Sequence, residues 1–216
     1  MTAATPAMVR RLLTGSAGDI ELLIDAPSQP PRGLAIVAHP QPLMGGSAQH
    51  KIPQLLARAC RDLGWLAVRP NFRGVGGTAG TYDHGGGESD DLIVVADTLR
   101  AEHPGLPLAL IGFSFGAYVQ AHVAVRLTAA GRPADRVILT GPPTGTVDSG
   151  RAYDLPALPR GSVVIHGERD EAIPLAALLD WARPHGQPVT VVPGADHSFG
   201  HGRLVTLRSL VEAALR

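Results

Sequence analysis

The chain has 216 residues, and its 19 lysines and arginines balance its 19 aspartates and glutamates, so the formal net charge is zero with histidine neutral. A chain with this balance has no long-range field to attract polyanions, so we expect no nucleic-acid partner and no membrane partner. The 44% of apolar residues suffices for one sizeable core, and the sequence predicts a single folded domain over residues 1–216.

Three features of the sequence bear on the cell compartment. The single cysteine, Cys60, can form no internal disulfide, which fits a reducing compartment and excludes a zinc site built from cysteines. Residues 1–19 lack the apolar run of roughly 7–15 residues that a secretory signal contains. Residues 104–125 carry no charge, but glycines, a proline and polar side chains interrupt them. We therefore expect a cytoplasmic protein.

The N-terminal region predicts an antiparallel hairpin, and the rest of the chain alternates between strands and helices. The hairpin strands are Arg10–Leu13 and Ile20–Asp25, with a glycine-containing turn between them. The later apolar runs are Leu34–His39, Trp65–Pro70, Leu108–Phe113, Val137–Thr140, Val163–His166 and Val189–Val192. The helix-like segments are Gln49–Leu63, Ser89–Glu102, Phe115–Ala130, Pro174–Arg183 and Arg203–Leu215. Unalternating apolar strands between helices predict an α/β fold with a mostly parallel sheet.

The sequence Gly112-Phe113-Ser114-Phe115-Gly116 follows an apolar strand and precedes a helix-like segment. A G-x-S-x-G motif in that context is typical of a nucleophilic serine in a sharp strand-to-helix turn. The glycines on either side leave room for such a turn. The turn also puts the N–H of Phe115 at a helix N-terminus, where negative charge is favoured. We therefore predict Ser114 as nucleophile and Phe115 as one backbone donor of an oxyanion hole.

A nucleophilic serine needs a base and an acid that orients the base, and enzymes with this turn carry them in the order serine, acid, histidine. Asp170 follows the strand near residues 162–165, and His197 follows the last strand. We predict Asp170 as the acid and His197 as the base. Competing side chains at the same strand ends are Glu168, Glu171, Asp196, His166 and His201.

The segment His39-Pro40-Gln41-Pro42-Leu43 follows the first long apolar strand, where such enzymes place their second oxyanion donor. Proline has no N–H, so the donor is the backbone of Gln41 or of Leu43. We predict Gln41.

The sequence indicates neither a metal nor a cofactor. His197 and His201 have no third ligand at a suitable spacing, so we predict no metal site. The glycine-rich loop at residues 74–87 contains G-x-G-x-x-A, but further glycines follow it instead of a helix. A dinucleotide site requires the helix, so we predict no cofactor.

Together these motifs resemble the α/β-hydrolase superfamily, and more narrowly its compact, capless bacterial members related to dienelactone hydrolase. The stretches that carry the resemblance are HPQPLMGGS, NFRGVGGTAGTYDHGGGESDD, GFSFGAYV, VVIHGERDEAIP and PGADHSFGHGRL. The resemblance implies an eight-stranded, mostly parallel sheet with helices on both faces, no cap domain, and a triad of Ser114, Asp170 and His197. Dienelactone hydrolase itself uses a cysteine nucleophile, so its substrate does not transfer to this chain.

Members of this type are commonly carboxylesterases, and we predict hydrolysis of a small ester through an acyl-enzyme. The chain is too short for a cap, which predicts a shallow, open site with Met44, Tyr82 and Phe199 among its walls. Two alternatives remain open. A cofactor-free haloperoxidase or perhydrolase would use the same triad, and a non-catalytic binding protein could share the fold.

Overall fold

A computed structural model describes residues 8–147 and 150–216. Its strands are β1 (Val9–Gly15), β2 (Gly18–Asp25), β3 (Gly33–Ala38), β4 (Trp65–Pro70), β5 (Leu108–Phe113), β6 (Arg136–Thr140), β7 (Gly145–Thr146), β8 (Ala152–Tyr153), β9 (Val163–Gly167) and β10 (Val189–Val192). Its α-helices are α1 (Lys51–Asp62), α2 (Gly86–Glu102), α3 (Phe115–Ala129), α4 (Leu175–His185) and α5 (Arg203–Leu215).

Eight of the strands form one sheet in the order β1-β2-β4-β3-β5-β6-β9-β10. Only β2 runs against its neighbours, and the pairs from β4 to β10 are all parallel. The predicted hairpin is thus β1 and β2 at one edge of the sheet. The prediction of a mostly parallel α/β sheet is confirmed.

Side chains of the central strands alternate between two apolar cores. In β3, Leu34 and Ile36 point into a core formed with α2 and α3, whereas Ala35 and Val37 point into a core formed with α1 and α5. Helices therefore cover both faces, and β3, β4 and β5 are buried at every residue. This double burial explains why these strands are uninterrupted apolar runs in the sequence.

The structure differs from the prediction at α2, which begins at Gly86 and not at Ser89. The carboxylate of Glu88 accepts the N–H groups of Asp83 and Gly85, and this cap allows the helix to begin among glycines. The ribbon of β7 and β8 was also missed, because strands of two residues show no periodicity.

The connection between β6 and β9 carries only this small ribbon within its described part. The described part of the chain accordingly has no separate cap over the sheet. No helix in residues 8–147 and 150–216 is both long and apolar enough to cross a bilayer.

Candidate active site

Ser114 lies between β5 and α3 in a conformation that side chains rarely adopt, with φ of 55° and ψ of −126°. Its N–H donates to the carbonyl of Thr140 at the end of β6 (2.9 Å), which ties the turn to the neighbouring strand. A strained non-glycine residue persists only where its surroundings hold it, and such residues cluster at functional sites.

The two glycines beside Ser114 are required by close backbone contacts. A Cβ on Gly112 would lie 2.4 Å from the carbonyl oxygen of Gly116, and a Cβ on Gly116 would lie 2.4 Å from that of Ala38. Both distances are far below van der Waals contact, and the obstacles are backbone atoms that cannot move aside. The steric reason for G-x-S-x-G is therefore present in this turn.

The structure brings Ser114, His197 and Asp170 into one hydrogen-bonded chain. Oγ of Ser114 lies 3.0 Å from Nε2 of His197, and Nδ1 of His197 lies 2.7 Å from Oδ2 of Asp170. Because a carboxylate only accepts, the imidazole proton is on Nδ1, and the free Nε2 accepts from the serine hydroxyl. This arrangement can draw a proton from Ser114.

Parallel strand direction explains how residues so distant in sequence meet. Ser114 follows β5, Asp170 follows β9 and His197 follows β10. All three strands run the same way, so their carboxyl ends share one edge of the sheet, the edge where this class of fold binds ligands.

The carboxylate of Asp170 is buried, with its side chain 1% exposed, and its contacts hold it in place. Oδ1 accepts the N–H of Ile173 (2.8 Å), which leaves Oδ2 for His197. Fully buried His166 lies beneath it, with Nε2 2.9 Å from the carbonyl of Ile173 and 3.5 Å from Oδ2. Burial lowers the pKa of His166, so this ring is neutral and supports the loop that carries the acid.

The competing carboxylates are engaged elsewhere or exposed. Glu168 accepts the N–H of Gly194, and Asp196 accepts the N–H of Gly200. The backbone hydrogen bond from Gly200 lowers the pKa of Asp196. Both side chains therefore hold turns, and Glu171 is exposed to solvent.

The backbone N–H groups of Phe115, in the first turn of α3, and of Gln41 have no acceptor within the described residues. The N–H of Leu43 instead points at Oε1 of Gln41, at 3.4 Å. Of the two amides that the sequence left open, that of Gln41 is the unoccupied one.

His39 orients the peptide between Pro40 and Gln41. Its Nε2 accepts the N–H of Phe72 (2.9 Å), so the proton is on Nδ1, which donates to the carbonyl of Pro40 (2.7 Å). In a trans peptide the N–H points opposite to the carbonyl, so this bond turns the N–H of Gln41 away from His39. Burial lowers the pKa of His39 to about 4, which keeps the ring neutral near pH 7.

The side chain of Gln41 is held as firmly as its backbone. Its Nε2 donates to the hydroxyls of Tyr153 (3.1 Å) and Tyr82 (3.3 Å). Tyr82 also packs against Phe115, with ring centroids 5.5 Å apart. The aromatic side chains thus support the segment that carries the free backbone amide of Gln41.

A cavity of about 250 Å³ opens beside Ser114. Its walls are Gln41, Met44, Ser114, Pro143, Val147, Arg151, Tyr153, Ala172, Ile173 and His197. Of the three predicted wall residues, only Met44 lines it. Tyr82 lies behind Gln41, outside the walls, so its prediction as a wall residue is wrong.

The prediction for Phe199 is also wrong. Its side chain is completely buried in the core between the sheet and helices α1 and α5. The N–H of Phe199 donates to the carbonyl of Asp196 (3.0 Å) and closes a turn directly before this buried position. An aromatic residue two positions after His197 was thus a core residue and not a pocket wall.

Solved structures of similar sequence share this architecture. An α/β serine hydrolase without a lid from Xanthomonas campestris is 37% identical, with 97% of this chain and 94% of that chain covered and a TM-score of 0.82. An α/β serine hydrolase homologue from Coxiella burnetii is 34% identical, with 96% and 97% covered and a TM-score of 0.82. The chain belongs to the α/β-hydrolase superfamily.

A family model and a further relative are also similar to this α/β hydrolase. The family model of the thioesterase domain matches residues 92–181, a stretch that contains Ser114 and Asp170. An uncharacterized protein of Rickettsia prowazekii is 29% identical over 194 residues, which cover 86% of this chain and 79% of that protein. The similarity to the Rickettsia protein thus extends over most of the chain.

Sequence reasoning missed Arg151 and Tyr153, which line the cavity of this hydrolase. Both lie at or beside β8, whose two residues gave no strand signal. The composition of residues 150–155 is ordinary for a loop. Only the folding of the ribbon over the sheet brings these side chains to Ser114.

Proposed function

We propose that this α/β hydrolase cleaves small carboxylic esters through an acyl-enzyme formed on Ser114. The observation that carries the proposal is the continuous hydrogen-bonded chain from Ser114 Oγ through His197 to buried Asp170. A hydroxyl is a weak nucleophile unless a neighbouring base removes its proton, and this chain provides that base.

In the first half of the reaction, Nε2 of His197 takes the proton as Oγ attacks the ester carbonyl. Asp170 holds the ring in the required tautomer and stabilises the imidazolium that forms. The N–H groups of Phe115 and Gln41 stabilise the oxyanion, and one such donor typically contributes about 10²–10³-fold in rate. His197 then protonates the departing alkoxide, and the acyl group remains on Ser114.

In the second half, a water molecule takes the place of the alcohol. His197 removes a proton from this water, which attacks the acyl carbonyl, and the carboxylic acid leaves as Oγ recovers its proton. The site is open because no cap covers it in the described part of the chain, so water has direct access.

The cavity supports a short acyl group. Its volume of about 250 Å³ lies below the roughly 300–1,000 Å³ of pockets for drug-sized ligands. A second, more polar cavity of about 420 Å³ lies on the other side of His197. It is lined by Arg169, Glu171, Ala172, Gly194, Asp196, His197, Ser198 and His201. The leaving group, which takes its proton from His197, fits on this side.

The test is turnover of p-nitrophenyl acetate by the wild-type protein and by Ser114→Ala. We expect the variant to lose at least about 10³-fold in kcat, because the nucleophile is gone while binding is retained. Ser28→Ala is the matched control, since Ser28 is an exposed loop serine. Unchanged turnover in Ser114→Ala would refute the proposed mechanism.

A thioester is the second candidate substrate class, favoured by the match of residues 92–181 to the thioesterase domain. The same acyl-enzyme serves either class, because only the leaving atom differs. Acyl-thioesters and oxygen esters with the same acyl chain, compared by kcat/KM, distinguish the two. A higher value for the thioester at equal chain length would assign the protein to thioesters.

A further inference from the structure

The cavity beside Ser114 contains one fixed positive charge. Arg151 is the only lysine, arginine, aspartate or glutamate among its described walls. The neighbouring walls Met44, Pro143, Val147 and Ile173 are apolar. A guanidinium that lines such a cavity can pair with an anion that enters it.

The described residues provide no such anion. The side-chain contact of Arg151 is a weak one from Nη1 to Sδ of Met44 (3.7 Å), and no carboxylate of the described residues lies within ion-pairing distance. Two other arginines of the same fold have carboxylate partners, Arg69 with Asp25 and Arg73 with Asp91. Within the described residues the guanidinium thus has no carboxylate partner, and it faces a cavity that a ligand can enter.

The cavity is the acyl side of the site. Ser114 and Gln41, which hold the reacting carbonyl in the proposed mechanism, both line it. The larger cavity beyond His197 is lined by neither of them. A group that reaches Arg151 from the carbonyl is therefore the far end of the acyl chain and not the alcohol.

We propose that Arg151 makes this hydrolase selective for acyl chains that end in an anionic group, with a carboxylate as the preferred terminus. The inference rests on the proposed function of Ser114. Guanidinium and carboxylate match as a two-bond pair, and the apolar walls contact the methylene groups between the two ends. The zero net charge of the chain provides no general attraction, so the preference is local to this cavity.

The experiment compares mono-p-nitrophenyl adipate with p-nitrophenyl hexanoate. These acyl chains have equal length and differ in a terminal carboxylate against a methyl group. The rate measured with the Ser114→Ala protein is subtracted from each rate, which also corrects for spontaneous hydrolysis. The measured quantity is the ratio of kcat/KM for adipate over hexanoate, in wild type, Arg151→Met, Arg151→Lys and the control Arg160→Met.

We expect Arg151→Met to lower this ratio by on the order of tenfold, the effect of losing a charge-assisted hydrogen bond, with hexanoate turnover retained. Arg151→Lys keeps the positive charge and should retain most of the preference for adipate over hexanoate. If Arg151 had only a structural role, keeping the charge would not keep this preference. Arg160 is exposed and lines cavities away from Ser114, so Arg160→Met should leave the ratio unchanged. The wild-type ratio should also fall as salt is added.

The outcomes separate this proposal from the one on which it rests. An unchanged ratio in Arg151→Met, with hexanoate hydrolysis still dependent on Ser114, overturns the role of Arg151 and leaves the hydrolase proposal intact. Hydrolysis of both esters that survives Ser114→Ala overturns the proposed function itself.

Discussion

Acidification should destabilise the protein through His39, the buried ring that orients the peptide between Pro40 and Gln41. Its folded pKa is lowered to about 4 by burial, whereas an unfolded histidine has an ordinary value near 6.5. Between these values the unfolded chain binds a proton that the folded protein rejects. The contribution to stability is complete above about pH 6.5 and is lost as the pH falls towards 4.

The magnitude follows from the two pKa values. Linkage gives a loss of about 2 kcal/mol between pH 7 and pH 5, and about 3 kcal/mol by pH 4, from this one side chain. His39 is completely buried, so solvent does not screen this contribution. A loss of this size is a large part of the 5–15 kcal/mol typical of a folded domain.

The assay is urea unfolding followed by circular dichroism at several values between pH 7 and pH 5. His39→Gln cannot be protonated in this range, so its free energy of unfolding should fall by about 2 kcal/mol less than that of wild type. His103→Gln is the control, because His103 lies at the end of α2 and precedes β5, whereas Ser114 follows β5 at its other end. Equal pH dependence in wild type and His39→Gln would refute the reasoning.

Three other variants test the geometry around Ser114. Gly116→Ala should lower both the melting temperature and kcat, because its Cβ would sit 2.4 Å from the carbonyl oxygen of Ala38; activity equal to wild type would contradict the steric argument. Gln41→Pro removes the backbone N–H, and proline can adopt the φ of −51° at this position. We expect kcat to fall about 10²–10³-fold relative to Gln41→Ala, which keeps the N–H, and equal rates would point to another donor. Asp170→Asn should reduce kcat by about 10⁴-fold because His197 loses the partner that sets its tautomer, and a small effect in steady-state assays would argue against Asp170 as the acid.

The fold was largely predictable from local patterns. Strands buried on both faces must be apolar at every position, and the runs that became β3, β4 and β5 have this property. The elbow around Ser114 was predictable for a similar reason. Gly112 avoids a collision with Gly116 inside the turn, and Gly116 makes room for the backbone of Ala38 in β3. Both glycines belong to the G-x-S-x-G motif, which the sequence alone shows.

The pocket was much less predictable. Phe199 and Tyr82 are aromatic residues in loops near the site, yet one is buried under the sheet and the other braces Gln41 from behind. Arg151 and Tyr153 reach the cavity from a ribbon of two-residue strands. The direction of a side chain in a loop depends on contacts with distant segments, which no local pattern encodes.

The sequence by itself determined the order of the strands and helices, the strained serine turn, and which strand ends carry an acid and a histidine. These features depend on hydrophobic periodicity and on short motifs next to the strand ends. Only the tertiary structure decided that the N–H of Gln41 and not that of Leu43 is unoccupied, that His166 supports Asp170, and that Arg151 lines the cavity beside Ser114. Each of these depends on atoms brought together by strand pairing across the sheet, because hydrogen bonds and unpaired charges are defined by distances that the linear chain does not contain.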